Sequence, residues 1–243
     1  MLKHLILAVA LGLAGLIPVL VPEYAGAIEV SGITEPFMDV TLGLSDAGII
    51  RTQFFKEGDL VKKGDVILEL DKNLETLEVT RRKAVMEQNK MVFDSTKELA
   101  DTTKSVSRED LTKAEAEYQV SAAEYNIAVE QLAERQLGAP FSGAITEVLL
   151  KPGAAVAPYQ PVVRLVDTSR CYFVGHVDGV TAAGLRLDEA VKIEMDGGQT
   201  VAGKISYVSP VVDAASGLAT IKAIFNNSAG AIRPGVAARM SAE

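Results

Sequence analysis

Laid against itself at an offset of 95 residues, the chain repeats: Gly48 falls on Gly143, Ile50 on Ile145, Gly58 on Gly153, Val61 on Val156, Ile67 on Val162 and Leu70 on Leu165. The register holds without a gap, with Gly64 against Tyr159 as its clear departure. Each copy reads as strand, turn, strand: alternating apolar residues, a glycine turn at Gly58-Asp59 or Pro152-Gly153, then a second alternating stretch. Neither ribbon can bury a core by itself. The two must face each other and share one, as a small all-β sandwich over residues 41–71 and 138–168. The glycines Gly48, Gly58, Gly64, Gly143 and Gly153 are then architectural.

Between the copies Gly and Pro vanish from Asp71 to Leu137, and the apolar period changes from two to about three and a half. This predicts a long helical insertion over 72–137. Leu111, Tyr118, Tyr125 and Leu132 recur every seven residues, flanked by Ala114, Ser121 and Ala128, as in a coiled-coil seam. The first half offers Leu77, Ala84, Val85, Met91, Val92 and Leu99, of which Val85, Val92 and Leu99 keep the sevenfold spacing. The polar stretch from Asp101 to Ser105 breaks the stripe, and Ser107 before Arg108-Glu109-Asp110 is an N-cap with acids in the first turn. Two antiparallel helices projecting on the order of 40 Å are expected.

After Asp167 short strands return: Cys171–Val177, Val191–Met195, Val201–Val208, Thr220–Phe225 and Val236–Met240, separated by Gly197-Gly198, Asn226-Asn227 and Arg233-Pro234-Gly235. With a helical turn at Val180–Leu185 they predict a β-barrel over 169–243, in which Pro234 and Gly235 form a structural turn. The fold class expected is mainly β, with a sandwich, a barrel and a long helical hairpin.

The N-terminus sets the compartment. Lys3, the apolar run Leu5–Ile17 and the small residues Ala25-Gly26-Ala27 read as a signal peptide over 1–27. An uncleaved anchor is the other reading, at the short limit for a span of about 20 residues. On either reading the rest lies outside the cytoplasm, and with no cysteine after the run a lipid anchor is excluded.

Residue inventory narrows function. Lys and Arg total 24 against 32 Asp and Glu, a net charge of −8, which gives no electrostatic drive toward nucleic acid. Histidine is confined to His4 and His176 and cysteine to Cys171, too few for a zinc cage, and His176 sits within a strand pattern rather than a nucleophilic triad. Glu115, Glu117, Glu124, Glu130 and Glu134 lie away from the seam, as a solvated face does. No catalytic, cofactor or metal site is expected.

Two half-motifs of biotinyl/lipoyl type, split by a helical hairpin and followed by a barrel, resemble the periplasmic adaptors, or membrane fusion proteins, of bacterial efflux systems. The resemblance is carried by Gly48-Ile49-Ile50, Glu57 to Gly64, Leu70-Asp71, Ala139-Pro140-Phe141-Ser142-Gly143-Ala144-Ile145 and Gly153. Arg233-Pro234-Gly235-Val236 is similar to the Arg-Pro-Gly-Met signature of the branch that serves RND pumps.

The resemblance implies a non-enzymatic periplasmic protein without cofactors, assembled as a homo-oligomeric ring, often hexameric. It would grip an inner-membrane transporter, of RND type before ABC type, and meet a TolC-type outer-membrane channel with its hairpin tips. The tip contact would fall on Lys97, Leu99, Asp101, Lys104, Ser105 and Ser107. Family tips carry a spaced Arg, Leu and Ser; Ser107 fits the serine, Leu99 fits the leucine after a one-residue shift, and Ser95 or Thr96 stands where the arginine falls. Ser107→Arg is expected to weaken channel engagement and leave folding intact. Full adaptors also build a membrane-proximal domain, to which residues 28–40 are expected to give one strand.

Two rival functions share parts of this pattern. A biotinyl or lipoyl carrier would modify Lys72, beside Asp71 at the end of the first half-motif, but the helical insertion removes the tight hairpin a ligase needs. An ABC-exporter or type I secretion adaptor shares the half-motifs and differs in hairpin length and anchoring.

Overall fold

The computed structural model describes residues 28–103 and 105–242; the segment 1–27, read as a signal peptide, and Lys104 lie outside the described residues. Twelve strands and three helices follow one another along them. They are β1 (Ile28–Leu42), β2 (Gly48–Gln53), β3 (Leu60–Val61), β4 (Val66–Leu70), α1 (Asn73–Thr103), α2 (Arg108–Ala133), β5 (Gln136–Gly138), β6 (Gly143–Val148), β7 (Ala155–Val156), β8 (Val163–Asp178), α3 (Gly179–Gly184), β9 (Ala190–Met195), β10 (Thr200–Val208), β11 (Leu218–Asn226) and β12 (Ala237–Ala242).

The repeat is a real pseudo-symmetry. Gly58 N donates to Ile145 O at 2.8 Å, and its equivalent Gly153 N donates to Ile50 O at 2.8 Å. Gly64 N donates to Ala139 O and Tyr159 N to Leu44 O, while Phe54 N reaches Ile67 O and Leu149 N reaches Val162 O. Even the turn side chains correspond: Asp65 Oδ2 accepts from Lys62 N, and Gln160 Oε1 accepts from Ala157 N. The sheet β5-β4-β2-β7 covers a second layer made of β3, β6 and the adjoining halves of β8 and β1. Between them Ile50, Ile67, Leu68, Leu70, Ile145, Val162 and Leu165 are buried almost completely, the shared core that neither ribbon could make alone.

The C-terminal strands form a closed ring, β1-β12-β9-β10-β11-β8, completed by the β1–β8 pairing. Closure leaves no open edge in the ring. The five strands read from the sequence would have left β8 and β12 unpaired on one side. Ile28–Ile33 pairs with β12 and Gly32–Pro36 with β8, so this stretch is the sixth barrel strand and not a strand of a separate membrane-proximal domain. Phe173 fills the centre with Ile193, Ile205, Ile221 and Met240. Gly32 and Gly175 make room for it, since a Cβ on Gly32 would stand 2.7 Å from the Phe173 ring and 2.2 Å from Val174 O.

The division expected between residues 168 and 169 falls inside β8, which runs straight through it. Val163 and Leu165 belong to the sandwich core and Cys171, Phe173 and Val177 to the barrel core of one sixteen-residue strand. The reason is its partner: β1 pairs along both halves, with a register shift only between Pro36 and Met38. At that shift Phe37 stacks on Tyr172 at 5.5 Å and the Arg170 guanidinium lies 3.6 Å over the Phe37 ring.

Candidate partner-binding site

The helical arm leaves the sandwich between β4 and β5. α1 is 31 residues and α2 is 26, and they run antiparallel: Arg82 pairs with Glu124, Asn89 Nδ2 donates to Glu117 O, and Phe93 stacks on Tyr118 at 6.0 Å. The inner face of α2 is the expected one. Leu111, Tyr118, Tyr125 and Leu132 are half-buried, and the small residues between them, Ala114, Ser121 and Ala128, are buried. Small side chains there let the helix axes approach.

The inner face of α1 differs from the expected seam. It is formed by Val79, Arg82, Met86, Asn89, Phe93, Thr96 and Ala100, all half-buried at steps of three and four. Val85 is half-buried on its flank, and Val92 and Leu99 are each 49% exposed. Reading apolar residues alone misplaced the seam by one position, because the close α2 surface accepts polar neighbours such as Arg82 and Asn89. Val92 and Leu99 lie beside Val85 on that flank, and Leu77 and Met91 of α1 and Val120 and Ile127 of α2 are further exposed apolar residues of the arm.

Charge decorates the arm locally. Arg81 and Arg82 bond the Glu78 carboxylate and hold its pKa down to about 2, and Asp94 raises that of Lys90. These are surface pairs worth little stability each.

At the tip, Asp101 and Ser105 are exposed, and Lys97 is exposed with its ammonium 5.9 Å from the Phe93 ring. Ser107 is not a free contact residue. Its hydroxyl accepts from Asp110 N at 3.0 Å and donates to Asp110 Oδ2 at 2.7 Å, capping α2. Ser107→Arg would therefore also remove a cap worth about 1 kcal/mol, a stability cost to be set beside the expectation that folding stays intact. At the base, Lys72 pairs with Glu69 just ahead of α1. No tight hairpin presents it, as a carrier domain would require.

The other singled-out residues are structural in place. Gly58, Gly64, Gly153 and Gly235 have positive φ, Gly48 lies against Leu70, and Gly143 opens β6 against Val166 O. The Pro234-Gly235 turn is stitched to β1, since Gly235 N donates to Thr34 O and the buried Thr34 hydroxyl donates to Val236 O. His176 is exposed on β8, and Cys171 is buried, its thiol pKa pushed up by burial. Asn227, passed over as a turn residue, is buried and pins its loop, donating to Thr168 O and Ile232 O and accepting from Ile232 N. Among the described residues no group of three or more His, Cys, Asp or Glu is placed to hold a metal ion, and no helix is long and apolar enough to cross a membrane.

Residues 39–168 match the family described as "RND MFP, barrel-sandwich hybrid domain", and residues 176–243 match the "CusB-like, beta-barrel domain". The chain belongs to the membrane fusion protein family. Its fold resembles the crystal structure of a MacA-MexA chimeric protein containing the Pseudomonas aeruginosa MexA α-hairpin domain, with a TM-score of 0.77, 19% identity, and coverage of 89% of this chain and 81% of that one. It is also similar to a putative efflux transporter from Bacteroides eggerthii, with a TM-score of 0.71, 22% identity, and coverage of 89% and 69%. The membrane fusion protein Spr0693 from Streptococcus pneumoniae gives a TM-score of 0.69, 16% identity, and coverage of 89% and 98%. At these identities the likeness is one of fold. An uncharacterized protein of Haemophilus influenzae is 24% identical over 206 residues, and the match covers 84% of this chain and 54% of that protein. The chain thus spans about half the length of that curated relative.

Proposed function

We propose that this membrane fusion protein is a non-enzymatic periplasmic adaptor that bridges an inner-membrane transporter of RND type to a TolC-type outer-membrane channel, as a homo-oligomeric ring. The observation that carries the reading is architectural: a closed barrel and a shared two-layer core, tied by β1 and β8, hold out a helical arm about 45 Å long that, among the described residues, gives no side chain to either core. We read the arm as a coiled-coil hairpin whose tip, around Lys97, Leu99, Asp101, Lys104, Ser105 and Ser107, meets the channel. The barrel meets the transporter. The RND assignment is supported by the description of the matched family and by the Arg233-Pro234-Gly235 turn, which the structure builds into the barrel closure.

The part-exposed Val92 and Leu99, seven residues apart on α1, support side-by-side packing of arms in the ring, because apolar residues at heptad spacing with part of their surface exposed favour a helical partner. The segment 1–27 would direct export as a signal peptide or remain as an anchor.

Photo-crosslinking amino acids placed at Asp101 on the arm and at Val211 on an exposed barrel loop test the reading in intact cells. The expected products are an outer-membrane channel from position 101 and an RND transporter from position 211. An ABC transporter from position 211 would replace the RND assignment. Failure of both probes to reach any envelope partner would overturn the adaptor reading.

A further inference from the structure

Neither helix of the arm places a side chain in the sandwich core, so its angle on the sandwich rests on the two chain crossings and on polar contacts at its base. Arg135, where α2 passes into β5, gathers most of these. Its Nη1 donates to Ala47 O at 2.8 Å in the β1–β2 loop. Its Nη2 lies 2.9 Å from Glu75 Oε1 in the first turn of α1 and 3.7 Å from Asp46 Oδ2. Its carbonyl accepts from Leu70 N, at the end of β4, at 2.8 Å. One side chain thus holds the start of one helix, the end of the other and a loop of the sandwich.

The set is unevenly satisfied. Arg135 Nε is buried without a partner among the described residues, and two carboxylates share Nη2 at unequal distances. A fully bonded guanidinium would be a fixed strut, whereas this one has a spare donor and a second acceptor within reach.

We propose that Arg135 is an ionic latch that sets the angle of the helical arm on the sandwich and lets the arm pivot when its bond to Glu75 is released. Tilting a rod about 45 Å long by roughly 10° moves its tip by about 8 Å, so a change at one guanidinium becomes a large displacement at the tip. The latch acts within this chain and stands whatever the tip engages.

The test is a pair of spin labels on the full chain, at Lys97→Cys on the arm and Lys151→Cys on the sandwich, both exposed; the native Cys171 is buried and stays unlabelled. The expected result is a single narrow distance distribution with Arg135 intact. Arg135→Gln and Glu75→Gln should each broaden it at least twofold while far-UV circular dichroism is unchanged, and the double variant should be no broader than either single one. If Arg135→Gln does not fold, the milder Glu75→Gln decides alone. A distribution of unchanged width in a folded Arg135→Gln or Glu75→Gln protein would overturn the latch.

Discussion

Tyr159 shows how firmly the repeat constrains single residues. It occupies the place of Gly64 in the second copy and adopts the same left-handed conformation, φ 59° against 91°, with its amide donating to the equivalent carbonyl. The side chain is 81% exposed, so little burial offsets the cost of that backbone, about 1–2 kcal/mol for a non-glycine residue. Tyr159→Gly is expected to raise stability by about 0.5–1 kcal/mol, the relief less the entropy glycine adds to the unfolded chain. Gly64→Tyr is expected to lower it by about 1–2 kcal/mol. Urea denaturation midpoints of both variants check the pair. In the sequence Tyr159 stood out as the departure from the repeat, because its identity hides a backbone that follows it. Gly32 and Gly175 carried no such signal, because their role depends on where the Phe173 ring lies, and only the barrel's closure decides that.

At the scale of elements, the α1–α2 contact separates what periodicity can and cannot reveal. The apolar heptads of α2 marked its inner face correctly, while on α1 the same rule selected Val92 and Leu99, which lie on the flank. Replacing Val92 by Ser is expected to change hairpin stability by no more than about 0.5 kcal/mol. Phe93→Ala, one position on, is expected to cost about 1–2 kcal/mol, less than a fully buried phenylalanine. Thermal melts followed at the helical band distinguish the two positions. The β1–β8 ribbon gives a second element-scale prediction. Arg164 holds Asp39 with paired bonds of 2.8 and 2.6 Å and also bonds Glu147, joining β1, β8 and β6. The hydrogen bonds from Arg164 hold the Asp39 pKa below its usual value. A depressed folded-state pKa contributes stability above the unfolded value, about pH 4, and the contribution is lost as pH falls through the folded value. The stability difference between the parent and Asp39→Asn should therefore be present at neutral pH and vanish in acid, as read by denaturant titrations across that range.

Over the whole molecule, the sandwich, the inserted helices and the barrel strands were legible because each has a period and turn residues of its own. The role of β1 was hidden, since Ile28 to Leu42 finds its partners more than a hundred residues away in β8 and β12. Deleting residues 28–35 is expected to open the ring, expose the edges of β8 and β12 and drive aggregation, which size-exclusion chromatography would register as loss of the monodisperse species. The partner-facing surfaces were legible only as exposure, because a surface that binds another protein satisfies no periodicity within its own chain. The central proposal is that this membrane fusion protein bridges an inner-membrane transporter and an outer-membrane channel. An in-cell cross-linking pull-down of the C-terminally tagged protein from the bacterial envelope, with the captured proteins identified by mass spectrometry, tests it most directly. The account predicts recovery of an inner-membrane transporter and an outer-membrane channel together with several copies of the chain. Recovery of a monomer with neither would contradict it.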